Sequence, residues 1–410
     1  MSPKRNSRKS DRIFSDIVDD EGYQYVDLVL EGGGVLGYAL LGYINELEKE
    51  GIRFLNIGGT SAGSIIALGL AAAGKPNERK ALKLHSALKN MPLNEFLDGS
   101  HHAKKLAHIY TQDWSKRRFV YHLALSYLKA KKSLGFHPGN RFQEWLVEML
   151  GAFDIKTTQD LLDRMHDLPE LKDRSGKAFT SLMDFPLCLT CADISTHTRV
   201  RFPEMAPLYW KDNWQEVNPA EFVRASMAVP FMFEPFIRKR DVMSQDKELW
   251  KEKAGFSDNQ LIQDPFLPDR SVLLDGGVMS NFPIDVFTDY QKTHIQRPTF
   301  GVKLSFEKRI YDVPNIFHKG FQMFNAASHI MDVEFIRKNP HFAQVVTHID
   351  TGNYYWLNFD MKKEDMQNLF HHGSAAARNF LDGFNWEEYR DARNNVNKSF
   401  FDMLRLKPRG

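Results

Sequence analysis

The residues most able to do chemistry in this chain are a serine and the glycines around it. Gly59-Thr60-Ser61-Ala62-Gly63 fits G-x-S-x-G, the pattern of a nucleophile on a sharp strand-to-helix turn. Flanking residues without a Cβ let the backbone take the strained turn that lifts the hydroxyl off the sheet, at the positive end of the following helix. A serine that attacks an ester also needs N–H donors for the oxyanion, and Gly32 to Gly37, GGGVLG, offers such a turn upstream. Gly32, Gly33, Gly34 and Gly37 are therefore the candidate oxyanion-hole residues, with Gly59 and Gly63 as motif glycines.

Two other chemistries compete for the same residues. Gly32, Gly34 and Gly37 also fit the G-x-G-x-x-G of a dinucleotide site, which requires an acid at the end of the next strand; here Leu55-Asn56-Ile57-Gly58 offers none. A Ser-Asp-His triad is formally allowed by the chain order Ser61, Asp275, then His294 or His318. Between Gly34 and Ser61, however, there is room for only one helix and one strand, and triad hydrolases place their oxyanion glycines further upstream. No cofactor and no metal is called for by either serine chemistry.

The elements that must position these groups are legible around them. Residues 24–30, QYVDLVL, read as a buried strand running into the glycines. From Val35 to Glu50 the apolar residues Leu36, Leu40, Leu41, Ile44 and Leu47 recur at helical spacing, and Gly51 is a natural stop. Residues 52–57 read as a second strand, and the apolar run after Ser61 as a helix ending at Gly74. Strand, helix, strand, helix implies a parallel sheet whose strand ends carry both turns on one edge, where ligands bind in open α/β sheets.

Farther along, 75–150 reads as a helical insertion or lid. Within it, 103–132 holds eight basic residues (Lys104, Lys105, Lys116, Arg117, Arg118, Lys129, Lys131 and Lys132) and one acid, Asp113. Phe119, Leu123 and Tyr127 give that stretch an apolar stripe, so it is expected to make peripheral contact with an anionic membrane surface. Strand character resumes at 185–202, a polar surface loop is expected at 238–270, and VLLDGGVMSNFP at 272–283 reads as a strand entering a glycine turn. Beyond 305 the pattern is helical, with a final strand near Ala343 to Ile349.

Composition narrows the class. With 54 basic and 52 acidic residues among 410, the formal charge of +2 gives no reason to expect nucleic acid as partner. The basic head, with Lys4, Arg5, Arg8, Lys9 and Arg12, is followed by no apolar run, so a flexible tail is expected over 1–22 instead of a signal peptide. No stretch is apolar enough to span a bilayer, which makes cytoplasmic residence, with or without peripheral membrane contact, the default; export without an amino-terminal signal stays open. Cys188 and Cys191 form a C-x-x-C inside a predicted strand and are read as two packed thiols.

Taken in order, GGGVLG, GTSAG and Asp275-Gly276-Gly277 resemble the three signature blocks of the patatin-like phospholipases, and PGNRFQEWL (138–146), TCADIST (190–196), ASMAVPFMFEP (225–235) and the segment 358–381 agree with it. The resemblance implies a three-layer α/β/α fold with a parallel-rich sheet and helical insertions over 23–385, followed by a helical extension at 386–410. It further implies a catalytic dyad, with Ser61 as nucleophile, Asp275 as its base, and Gly276 and Gly277 letting that loop approach. The implied reaction is hydrolysis of lipid acyl esters of the phospholipase A or lysophospholipase type, on membrane or micellar substrate. Leu36 departs from the family, which usually places Lys or Arg there, and this bears on the head group. Asp193 and Ser226 are read as scaffold.

Overall fold

A computed structural model describes residues 12–111, 118, 121–123, 125, 126, 133–239, 247–257, 270–289, 294–304 and 316–405. The strands are β1 (Ile17–Asp19), β2 (Gln24–Leu30), β3 (Ile52–Thr60), β4 (Gly135–His137), β5 (Leu171–Asp173), β6 (Leu187–Asp193), β7 (Thr198–Phe202), β8 (Phe231–Phe233), β9 (Phe236–Lys239), β10 (Arg270–Asp275), β11 (Thr299–Lys303) and β12 (Val346–His348). The main sheet runs β12-β11-β2-β3-β6-β10-β9, parallel from β12 through β6 and antiparallel beyond. With its helical layers it is the three-layer α/β/α architecture expected.

β2 and β3 are buried at every position, which is why apolar residues appear on both faces instead of alternating, with Gln24, Asp27, Arg53 and Asn56 buried among them. A short 3-10 turn, Gly34–Gly37, leads into helix α1 (Tyr38–Lys49), and α2 (Ala62–Ala72) follows Ser61. α1 lies against the helix Lys363–Gly383 at a crossing so close that a Cβ on Gly373 would run into the Ala39 carbonyl.

Three expectations need correction. The tail drawn over 1–22 is too long: Phe14 and Ile17 are fully buried, and β1 pairs with β2 and β5, so the chain is packed into the fold from Phe14 on, while 1–11 lie outside the described residues. The polar loop at 238–270 contains a helix, Lys247–Ala254, because Trp250 supplies it a buried anchor; 240–246 and 258–269 lie outside the described residues. The strand β11 escaped the reading altogether. Of the basic stretch 103–132, much lies outside the described residues, though Lys104 and Lys105 are exposed on the helix His101–Thr111. Helix Trp386–Arg405 packs on the sheet domain, Trp386 donating to Asp16 at 2.8 Å, and 406–410 lie outside the described residues.

Candidate active site

Register brings Ser61 and Asp275 together. On β6, Thr190 pairs with Thr60 of β3 and Cys191 pairs with Asp275 of β10, while β7 occupies the opposite side over Leu189–Asp193. β3 and β10 must therefore share one side of β6 and meet end to end, and Ser61 is the next residue after Thr60. Both are buried, at 4% and 2% exposure.

Ser61 has φ 52° and ψ −124°, a conformation that L side chains rarely adopt, at the head of α2. What holds it there is Ser226: the Ser61 N–H donates to Ser226 Oγ at 2.9 Å, and that hydroxyl donates to the Thr190 carbonyl at 2.6 Å. The Ser61 hydroxyl donates to Met227 Sδ at 3.3 Å, a weak acceptor. Ser226, read as scaffold from the sequence, is thus the anchor of the strained turn. Asp193 fits its scaffold reading, accepting from Ser195 N–H at 2.9 Å and Tyr209 hydroxyl at 3.2 Å.

Asp275 Oδ1 accepts the Gly277 N–H at 2.8 Å, whereas Oδ2 is buried with no hydrogen-bond partner. Burial pushes this carboxyl up to about 7, against the lowering pull of the Ser61 side chain and the Gly277 amide. The Ser61 hydroxyl is therefore a close neighbour of Asp275, while its proton is aimed at sulfur and Oδ2 has no hydrogen-bond partner.

The glycine loop completes the edge. A Cβ on Gly32 would stand 2.9 Å from Ser61 Cβ, so only glycine lets the loop come this close. Gly32 exchanges two bonds with Asn281, its N–H donating to the Asn281 carbonyl at 3.1 Å and its carbonyl accepting from Asn281 Nδ2 at 3.1 Å. Gly34 has φ 54°, and Val35 N–H donates to the Trp356 carbonyl at 3.0 Å. Among the described residues Gly33 N–H and Gly34 N–H have no acceptor. Gly37 and Gly63 serve packing: a Cβ would stand 3.0 Å from Ala62 Cβ at Gly37 and 2.8 Å from the Glu31 carbonyl at Gly63. Gly59 and Gly276 likewise allow backbone contact, with Ser64 N–H and the Thr190 carbonyl.

Leu36 is buried in the core, so the position carries no charge and no route to solvent. His294 precedes β11, which runs parallel to β2, so it sits at the edge where β2 begins, a strand's length from Ser61, and is exposed. The side chain of His318 lies outside those described. Cys188 and Cys191 are free and buried in β6, their thiols pushed up by burial, Cys188 to about 12. Among the described residues no group of three or more His, Cys, Asp or Glu is disposed to hold a metal ion. No described helix is long and apolar enough to cross a membrane.

Asn281 and Trp356 act through backbone and amide atoms, and no motif in the sequence announces them.

The family model described as patatin-like phospholipase matches residues 28–288. The uncharacterized protein YqhO of Bacillus subtilis (strain 168) is 26% identical over 307 residues, 74% of this chain and 78% of that one. The uncharacterized protein L620 of Acanthamoeba polyphaga mimivirus is 24% identical over 272 residues, 62% of this chain and 61% of that one. Among solved structures, VipD from Legionella pneumophila aligns over 92% of this chain and 72% of its own, at 16% identity and TM-score 0.40. The ExoU–SpcU complex of Pseudomonas aeruginosa aligns over 90% and 52%, at 15% identity and TM-score 0.34.

Proposed function

The chain belongs to the patatin-like phospholipase family, and on that premise we propose that it hydrolyses acyl esters of lipids through an acyl-Ser61 intermediate with Asp275 as base. Membership supports lipid hydrolysis in general; the residue roles rest on the site. The observation that carries them is a serine in a strained turn beside a buried carboxylate with one unpartnered oxygen, with Gly32 of the glycine loop closed onto Ser61 and the next two amides of that loop unbonded.

The steps follow from that arrangement. As the Ser61 oxygen bonds to the acyl carbon, its proton passes to Asp275 Oδ2, and the carbonyl oxygen takes negative charge in front of Gly33 N–H and Gly34 N–H. Collapse breaks the bond to the leaving alkoxide, which takes the proton back from Asp275. Water then repeats the sequence on the acyl-serine and restores the free hydroxyl. A carboxyl near 7 is suited to both halves, because at neutral pH about half of it is ionised to take a proton and, once protonated, it readily gives the proton up.

Phospholipase A or lysophospholipase activity is the first reading of the substrate. Buried Leu36, where the family usually has a cation, favours a neutral-lipid or broad acyl esterase as the second. Purified protein incubated with mixed lipid vesicles, with products identified by mass spectrometry, distinguishes them: fatty acid and lysophospholipid are expected from phospholipid, and neither from Ser61→Ala. Release by Ser61→Ala would overturn the mechanism, and release only from neutral lipid would select the second reading. The lipid surface is also the proposed partner, with 103–132 as the contact. Reversal of Lys104, Lys105, Arg117 and Arg118 to Glu is expected to weaken binding to anionic vesicles, since each cation contributes about 1 kcal/mol there. Unaltered binding would make the stretch scaffold.

A further inference from the structure

We propose that Glu31 is a positioning residue for the oxyanion donors: paired with Lys303, it fixes the strand end that carries the Gly33 and Gly34 amides. The inference rests on the reading of Ser61 as nucleophile.

Glu31 follows β2 and precedes the glycines. Its N–H donates to the Val302 carbonyl at 3.0 Å. One carboxylate oxygen accepts from the Lys303 ammonium and the other from the Leu304 N–H at 2.6 Å. Its carbonyl abuts Gly63 in the first turn of α2. One side chain thus ties the end of β2 to the end of β11, while its backbone touches the helix that carries Ser61. Leu304, whose N–H Glu31 holds, packs on the oxyanion loop itself: a Cβ on Gly33 would stand 2.7 Å from Leu304 Cδ1. Displacing the carboxylate moves Leu304, and Gly33 moves with it.

The loop is pinned on its other side by Asn281 at Gly32 and by the Trp356 carbonyl at Val35. Between these pins only Gly33 N–H and Gly34 N–H are left without acceptors. A carboxylate this close to a developing oxyanion would oppose it if left uncompensated. Lys303, fully buried, supplies the compensation, with its ammonium also 4.7 Å from the centroid of the Phe282 ring. A charge-assisted clamp in a dry interior is stiffer than a neutral one, and breaking one partner of it leaves a buried charge exposed to no solvent. Asp332 stands farther from Lys303, at 3.8 Å, beyond hydrogen-bond reach.

The test uses the full chain. Glu31→Gln keeps the volume and one acceptor and removes the charge. Competent serines are counted by fluorophosphonate titration, and hydrolysis of a soluble ester is expressed per titrated site, so that unfolded molecules drop out. The expected result is a fall in kcat per site of about 10- to 100-fold with KM within about twofold, because oxyanion donors act in the transition state and not on bound substrate. Lys303→Arg, which keeps the charge pair, is expected to hold kcat within about fivefold of wild type. Where Glu31→Gln does not fold, Glu31→Asp, one methylene shorter, is read in the same assay with the same expectation. A kcat per site within twofold of wild type, or a raised KM at unchanged kcat, overturns the proposal. Ser61→Ala run alongside separates the two failures: if it still turns over ester, the nucleophile assignment falls; if it is inert while Glu31→Gln is normal, only the role of Glu31 falls.

Discussion

Two carboxyls in this molecule share one electrostatic condition and differ in everything around it. Asp275 ends β10 beside Ser61; Asp332 lies on the helix Ile316–Lys338 beside Lys303. Both are buried, both leave Oδ2 without a hydrogen-bond partner, and burial pushes each up to about 7. The groups that lower Asp275 are neutral, the Ser61 side chain and the Gly277 amide, whereas Asp332 is lowered by the Lys303 cation and raised again by Glu31. A displaced pKa therefore marks a buried carboxyl and does not by itself locate a base. What sets Asp275 apart is the Ser61 hydroxyl beside it, at the end of the strand that carries the strained turn.

Substitution by Asn should split the pair most widely in turnover. Asp275→Asn is expected to lower kcat by roughly 10²–10⁴, the usual worth of a general base, with the fold intact. Asp332→Asn should cost at most a few-fold. Comparable losses from both would mean that burial in this region matters and the dyad does not. The pH profile sharpens the contrast at a smaller amplitude. The base must be ionised, so kcat/KM should fall about tenfold per unit as pH drops below about 7. Asp332→Asn should leave that limb where it is, and Asp275→Asn should abolish it; a limb that follows Asp332 would reassign the titration.

The chemistry-bearing turns were legible because their signals are local. Strands β2 and β3 are mostly apolar and run into glycine-rich turns, and a helical period follows each, so strand, turn and helix could be read within a few residues of Ser61 and Gly32. The turn after β2 differs only in its first residues, which form a 3-10 turn before α1 because the loop is pulled down onto Trp356. β11 was missed for a physical reason: Thr299 and Lys303 are buried polar ends of a five-residue strand, and a buried lysine makes sense only with Glu31, far away in sequence. The same distance hid Asn281 and Trp356, and for Ser226, read as scaffold, it hid which backbone the hydroxyl holds. Each holds a backbone atom of a residue on another strand end, and no periodicity or spacing encodes such a contact.

Stability gives the smallest separation and tests the common cause. At low pH, below the ordinary carboxyl range, Asp275 is protonated in folded and unfolded chains alike, and Asn in its place should change little. Above about 7 the folded chain must keep an ionised carboxylate in a dry site while the unfolded chain solvates it, so the native protein bears a cost that rises between those limits. Asn removes that cost and keeps an oxygen for the Gly277 N–H. A shift from 3.8 to about 7 sets the ceiling at about 4 kcal/mol. Asp275→Asn should accordingly raise Tm at pH 8, with the gain shrinking to nothing by about pH 4. Asp332→Asn should gain in the same direction but less, because it also deprives Lys303 of a nearby acid when ionised. Thermal unfolding of both variants and wild type across this range decides it. A Tm for Asp275→Asn that stays at or below wild type at pH 8 would mean that the carboxylate is not under strain in the resting fold, and that the open Oδ2 is satisfied in solution.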